Sequence, residues 1–156
     1  MKDILLILLS LFLITSTVGC SDKINDAGSE EEIKMKEFSL EDFDCSWNRL
    51  SEDIIQQAEH IEMHIINNTT ELLSYISCND NIPEIDFEKY SLLLAKGLHP
   101  HVVYYEYSEF INDNDNYSWS IFLSDRTHST ITEYDISILV PKLNNSTVSL
   151  IVNHIN

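Results

Sequence analysis

Pro83-Glu84-Ile85-Asp86-Phe87-Glu88-Lys89-Tyr90-Ser91-Leu92-Leu93-Leu94-Ala95-Lys96-Gly97 leads from a polar, proline-marked turn into a short apolar block that stops at a glycine. Four consecutive apolar residues, 92–95, leave no side for water. Such a block is a strand covered on both faces or a short buried helix. Its length and the closing Gly97 favour the strand, although Leu and Ala are poor strand formers. The other candidate strands alternate apolar with polar residues. The block therefore belongs in the middle of a sheet.

Downstream, residues 101–111 form a long aromatic stretch. Alternation puts Tyr105 and Tyr107 on one face and Tyr104 on the other. Asn112-Asp113-Asn114-Asp115-Asn116 is a polar run suited to a hairpin turn. Tyr117, Trp119, Ile121 and Leu123 then alternate with serines, the cleanest amphipathic strand in the chain. Tyr134, Ile136, Ile138 and Val140 make another, ended by Pro141. Asn144-Asn145 is a second hairpin signal before Val148, Leu150 and Val152.

Upstream, Ile61, Met63 and Ile65 alternate with His60, Glu62 and His64, a half-buried strand. Asn68 with Glu71 three positions later predicts a capped helix carrying Leu72, Leu73 and Ile76. Ser51 precedes a shorter helix, and Phe38, Leu40, Phe43 and Trp47 are the first large apolar groups of the folded part. The order predicts a mainly β (α+β) fold: one antiparallel curled sheet, or a small sandwich or barrel, with one or two short helices.

The first residues read as an address. Lys2 precedes an apolar run over residues 4–14 that is too short to span a bilayer, which takes about 20 residues. A charged start, an apolar centre and small residues before a cleavage point describe a secretory signal. Thr17-Val18-Gly19-Cys20 resembles the lipobox of bacterial lipoproteins, in which the cysteine is lipidated. Residues 21–37 are acidic and poor in apolar clusters, and so predict a solvated spacer. Acidic residues soon after the lipidated cysteine also resemble the surface-export signal of Bacteroidota lipoproteins. The expected division is a signal peptide over 1–19, a lipidated acidic tether over 20–37 and one globular β-rich domain over 38–156.

Ile85-Asp86-Phe87, residues 92–97 and Val140-Pro141-Lys142, in the order helix, apolar strand and hairpins, resemble the C-terminal domain of PrcB-type lipoproteins. Those proteins are subunits of a spirochaete surface protease complex. Where that family continues with a glycine-rich turn, this chain has His99-Pro100-His101. The resemblance implies a mostly β, non-catalytic accessory domain and supplies no catalytic residues.

Charge and composition narrow the functions. The chain has 156 residues, 26 acidic against 9 basic, and a net charge of −17. That balance repels nucleic acid, where affinity comes from neutralising phosphates. Only Gly28 and Gly97 follow the leader, so neither a dinucleotide fingerprint nor a P-loop can be written. No serine sits in a glycine-flanked elbow. His60, Glu62 and His64 share a side, but next-nearest side chains on a flat strand lie about 6.5–7 Å apart. The expectation is no metal, no cofactor and no catalytic residues. Cys20 is assigned to lipid. That leaves Cys45 and Cys78 as a disulfide pair, or as two buried free thiols. His101, Tyr104, Tyr105 and Tyr107 are the candidate partner surface, since an outward tyrosine offers an apolar body and a polar tip.

The expected function is a non-enzymatic binding or accessory module of the bacterial cell envelope. It would be held by lipid at the outer membrane, on the periplasmic or surface side, and would meet a protein or glycan. A protease-complex subunit or protease inhibitor is the alternative, and a small envelope hydrolase is a more distant one.

Overall fold

The computed structural model describes residues 31–55, 59–79, 81–114, 116–144 and 146–155. The expected signal, Cys20, the first part of the expected tether, and Asp115 and Asn145 of the two expected turns lie outside the described residues.

One hairpin organises the molecule. Strand β6 (Tyr90–Asp113) and strand β7 (Asn116–Pro141) pair antiparallel from the tip at Asp113↔Asn116 to Tyr90↔Pro141. Asn114 holds the tip in the left-handed region, at φ 50°, a conformation asparagine tolerates better than most residues. The hairpin bends in the middle. Between the pairs His99↔Thr132 and Val102↔Arg126, β6 has two residues and β7 has five, so the strands cannot run straight. Gly97 does not end the strand, against the sequence expectation, and His99-Pro100-His101 continues it. Pro100 lacks an N–H, and it sits where the ladder is already broken. The two strands expected over residues 117–124 and 134–140 are likewise the two arms of one bent strand.

The bend divides the sheet into two halves. In the proximal half, β4 (His60–Ile66) pairs with residues 92–98 of β6, and β2 (Lys36–Glu37) pairs with residues 138–139 of β7. In the distal half, β1 (Glu31–Glu32) pairs with β6 near its tip, and β8 (Val148–Ile155) pairs with residues 117–124 of β7. The sheet does not close into a barrel. It is also mixed: β8 runs parallel to β7, where an all-antiparallel sheet was expected. The fold-back is the reason. Pro141 and Val148 are seven steps apart, at most about 25 Å of chain. A straight β7 would put Tyr117 about 80 Å from Pro141. Yet Val148 pairs with Tyr117, so the far end of β7 has returned beside its start.

The two halves face each other across the main core. Leu93, Ala95, Ile136, Ile138 and Val140 come from the proximal half, and Phe110, Trp119, Ile121 and Leu123 from the distal half. On the opposite face of β6, Leu92 and Leu94 meet Leu40, Ile66, Leu72 and Ile76. Residues 92–95 are fully buried, which bears out the doubly covered central strand. Their outer cover is helix α2 (Thr69–Tyr75) and a small ladder of β3 (Cys45–Trp47) with β5 (Ile76–Cys78). Asn68 Oδ1 accepts the Glu71 N–H at 2.9 Å to start α2, and Glu71 Oε2 accepts the Asn67 N–H at 2.7 Å. Helix α1 (Glu52–Ile55) starts at Ser51, whose carbonyl accepts from Ile54 and Ile55. Cys45 and Cys78 stand opposite each other in the ladder, Cα atoms 4.2 Å apart, joined as a disulfide.

Residues 31–37, expected in the tether, belong to the fold. They cross from the distal half to the proximal half, with Ile33 and Met35 packed on the main core. The acidic flanks hid these two apolar side chains in the sequence.

Candidate binding cleft

Gly97 starts the site. It pairs with Tyr134 across the hairpin, and a Cβ there would fall on the Tyr134 ring. Glycine therefore lets the phenol lie over the β6 backbone instead of standing off the sheet. Burial, aided by the Glu59 carboxylate, pushes the Tyr134 hydroxyl up to about 12. It stays protonated at neutral pH and can donate a hydrogen bond.

The next inward residue of β6 is His99, 8 % exposed. Its ring stacks on His154 of β8, centroids 4.5 Å apart and planes at 21°. His101 meets the same ring edge-on at 5.6 Å. His99 Nδ1 lies 3.2 Å from both the N–H and the carbonyl oxygen of His101. Nδ1 accepts from the N–H or donates to the oxygen according to the tautomer, so the bend gives this nitrogen a partner in either arrangement.

A cleft of about 560 Å³ opens at this point, between the start of β4 and the inner face of β8. Leu98, Leu150, Val152 and Ile61 form its apolar wall. Tyr134, His99, His154, His60 and Glu59 supply polar atoms around it. An apolar wall with a few hydrogen-bonding groups is the usual composition of a ligand site.

A second polar group sits on the outer face of the proximal half. His60 Nε2 lies 3.7 Å from one oxygen of Glu62, and His64 Nε2 lies 3.1 Å from the other. Tyr75 Oη is 3.1 Å from His64 Nδ1. The two imidazoles take opposite sides of the carboxylate, and their Cα atoms are about 13 Å apart on an extended strand. Among the described residues no group of three or more His, Cys, Asp or Glu side chains can hold a metal ion. Beside them Lys96, 4 % exposed, donates to Asp135 Oδ1 at 2.5 Å and to the Asn48 carbonyl at 2.6 Å. Burial raises the Asp135 pKa above the usual carboxylate value, and Lys96 opposes that rise.

The expected aromatic surface is rearranged. The register shifts between Tyr105 and Tyr107, so Glu106 is an extra residue and the alternation resets. Tyr105 and Tyr107 therefore do not share a face. Tyr105 turns inward, its hydroxyl donating to Glu37 Oε1 at 3.0 Å. Tyr104 and Tyr107 are each 45 % exposed. Arg126 lies 4.9 Å over the Tyr104 ring, and Tyr107 stacks on Phe122 at 4.3 Å. His101 is half-buried at the bend, not on that patch.

Sequence reasoning missed His99, Tyr134 and His154 as one site, because the bend alone brings them together. Gly97 was the available signal, since an isolated glycine inside a strand marks a close approach. Compared with protein-family profiles, curated proteins and solved structures, the chain matches none, so its cleft geometry and sequence signals carry the functional reading.

Proposed function

We propose that this chain is a lipoprotein of the bacterial cell envelope, anchored through Cys20, whose β-rich domain is a non-catalytic binding or accessory module. The observation that supports the reading is the cleft at the bend. It sets a protonated phenol and stacked imidazoles beside an apolar wall, a composition suited to holding a protein side chain or a sugar ring. The resemblance to the PrcB C-terminal domain supports the same role. The outer side of β8, unpaired among the described residues, favours the accessory-subunit form of it, because such an edge is a natural place for a partner chain to join.

Two experiments test the proposal. The mature protein is expected to partition into detergent, with Cys20→Ser moving it to the aqueous phase, since stable anchoring requires more than one acyl chain. A Cys20→Ser protein that stays membrane-bound overturns the anchor. A photo-crosslinking amino acid at Ile61, on the cleft wall, is expected to trap one envelope component in cells. That product should disappear in the Tyr134→Phe, His154→Ala double variant. No product, or one indifferent to the double variant, overturns the binding role of the cleft.

A further inference from the structure

Strand β8 ends the distal half-sheet with one side unpaired among the described residues. Natural edge strands are guarded by charged side chains, prolines, bulges or shortness. The other edges of this sheet follow that rule. Strands β1 and β2 are two residues long, and β4 carries Glu62 between two histidines. β8 has none of these devices. It is eight residues long, its register with β7 is unbroken, and Val148-Ser149-Leu150-Ile151-Val152-Asn153-His154-Ile155 contains no proline, glycine, acid, lysine or arginine. Residues 143–156 lack Asp, Glu, Lys and Arg altogether, although 22 % of the chain is charged and about three such residues would fall there by composition. The charge has been cleared from one edge only.

We propose that the free edge of β8 receives an extended, lysine- or arginine-bearing segment of a partner protein, which adds to the sheet as a further strand. The proposal rests on the reading of the chain as a binding module and specifies how the partner is held. Main-chain hydrogen bonds supply the attachment in strand addition, and alternate side chains supply the selectivity. The inner side chains of such a strand would continue the row Leu150, Val152 and His154, which is one wall of the cleft. Its outer side chains would lie beside Ile151, 46 % exposed. Charge selects the basic segment. Asp125 follows Ser124, the β7 partner of Ile155, one strand in from the Ile155 end of the edge. Glu59 stands at the cleft, and the whole chain carries −17. The same charge opposes pairing with a second copy.

The test uses the full mature chain in detergent and three labelled octapeptides. The first alternates valine and lysine, the second has glutamate for lysine, and the third is the first N-methylated at alternate residues. The lysine peptide is expected to bind, to slow amide exchange in β8, and to exceed both other peptides in affinity by about tenfold or more. Ile151→Lys, a guard placed on an exposed position, should weaken it to a similar degree without loss of fold. Equal binding of the glutamate or the N-methylated peptide overturns the proposal. So does unchanged exchange in β8, or a sedimenting dimer that protects β8 without peptide. These readouts lie on β8 amides, and those of the cleft lie on Tyr134 and His154. If the crosslink at Ile61 survives while peptide addition fails, the edge proposal falls and the binding role stands. If the crosslink is absent as well, the binding role falls with it.

Discussion

Gly97 and Tyr134 show how one missing methyl group shapes a site. The phenol occupies the space a side chain would need, so Gly97→Ala must push the ring aside. We expect the substitution to cost about 1–3 kcal/mol, the range for overpacking. In a Tyr134→Leu background most of that cost should vanish, and denaturant unfolding of the four proteins measures the coupling. The same phenol sets a pH signature. Its pKa is raised from 10.0 to about 12 in the folded chain, so between those values the native state binds more protons than the unfolded state. Stability should therefore fall as pH rises through that window. Tyr134→Phe should remove this part of the fall, and parallel slopes for the two proteins would contradict the assignment. A different residue shows the limit of alternation. Glu106 looks like any polar strand residue, yet as the extra residue of a bulge it turns Tyr105 inward and leaves Tyr107 outside. No pattern of period two marks that slip.

At the scale of elements, the legible parts are those whose neighbours are fixed by local chemistry. Residues 92–95 demanded cover on both faces, and they have it. Asn68 and Glu71 announced α2, and its cap is made. The parallel pairing of β8 was not legible. Asn144-Asn145 signals a local reversal, but the strand that β8 joins is chosen by how far the hairpin folds back. The disulfide ties the ladder of β3 and β5 that covers Leu92 and Leu94. It closes a separation of 33 residues, for which loop entropy gives roughly 3–4 kcal/mol. Reduction should lower stability by about that amount in denaturant melts. Thiol titration of the denatured, unreduced chain should find neither Cys45 nor Cys78 free, and two free thiols would contradict the bridge.

The described residues form one six-stranded sheet folded on itself, strapped by residues 31–37 and padded on one outer face by α2 and the two-stranded ladder of β3 and β5. Fold class followed from the count and spacing of apolar runs. The cleft did not, because His99 and His154 are 55 positions apart in the sequence and meet only through the bend.

The hairpin also fixes an order of events in time. Its pairs start at Asp113↔Asn116 and reach Tyr90↔Pro141, and each new rung closes only a small step beyond the last. The long sequence separation at the open end is thus crossed by zipping, without any single large loop closure. The strap, α2 and β8 have surfaces to dock on only after the rungs exist. The tip should therefore be formed in the folding transition state and the cover should not. In stopped-flow measurements Asn114→Ala, which strains a left-handed position, should mainly slow refolding. Leu72→Ala, which hollows the contact beneath α2, should mainly speed unfolding. The reverse pattern would mean that the cover condenses first and the hairpin closes around it.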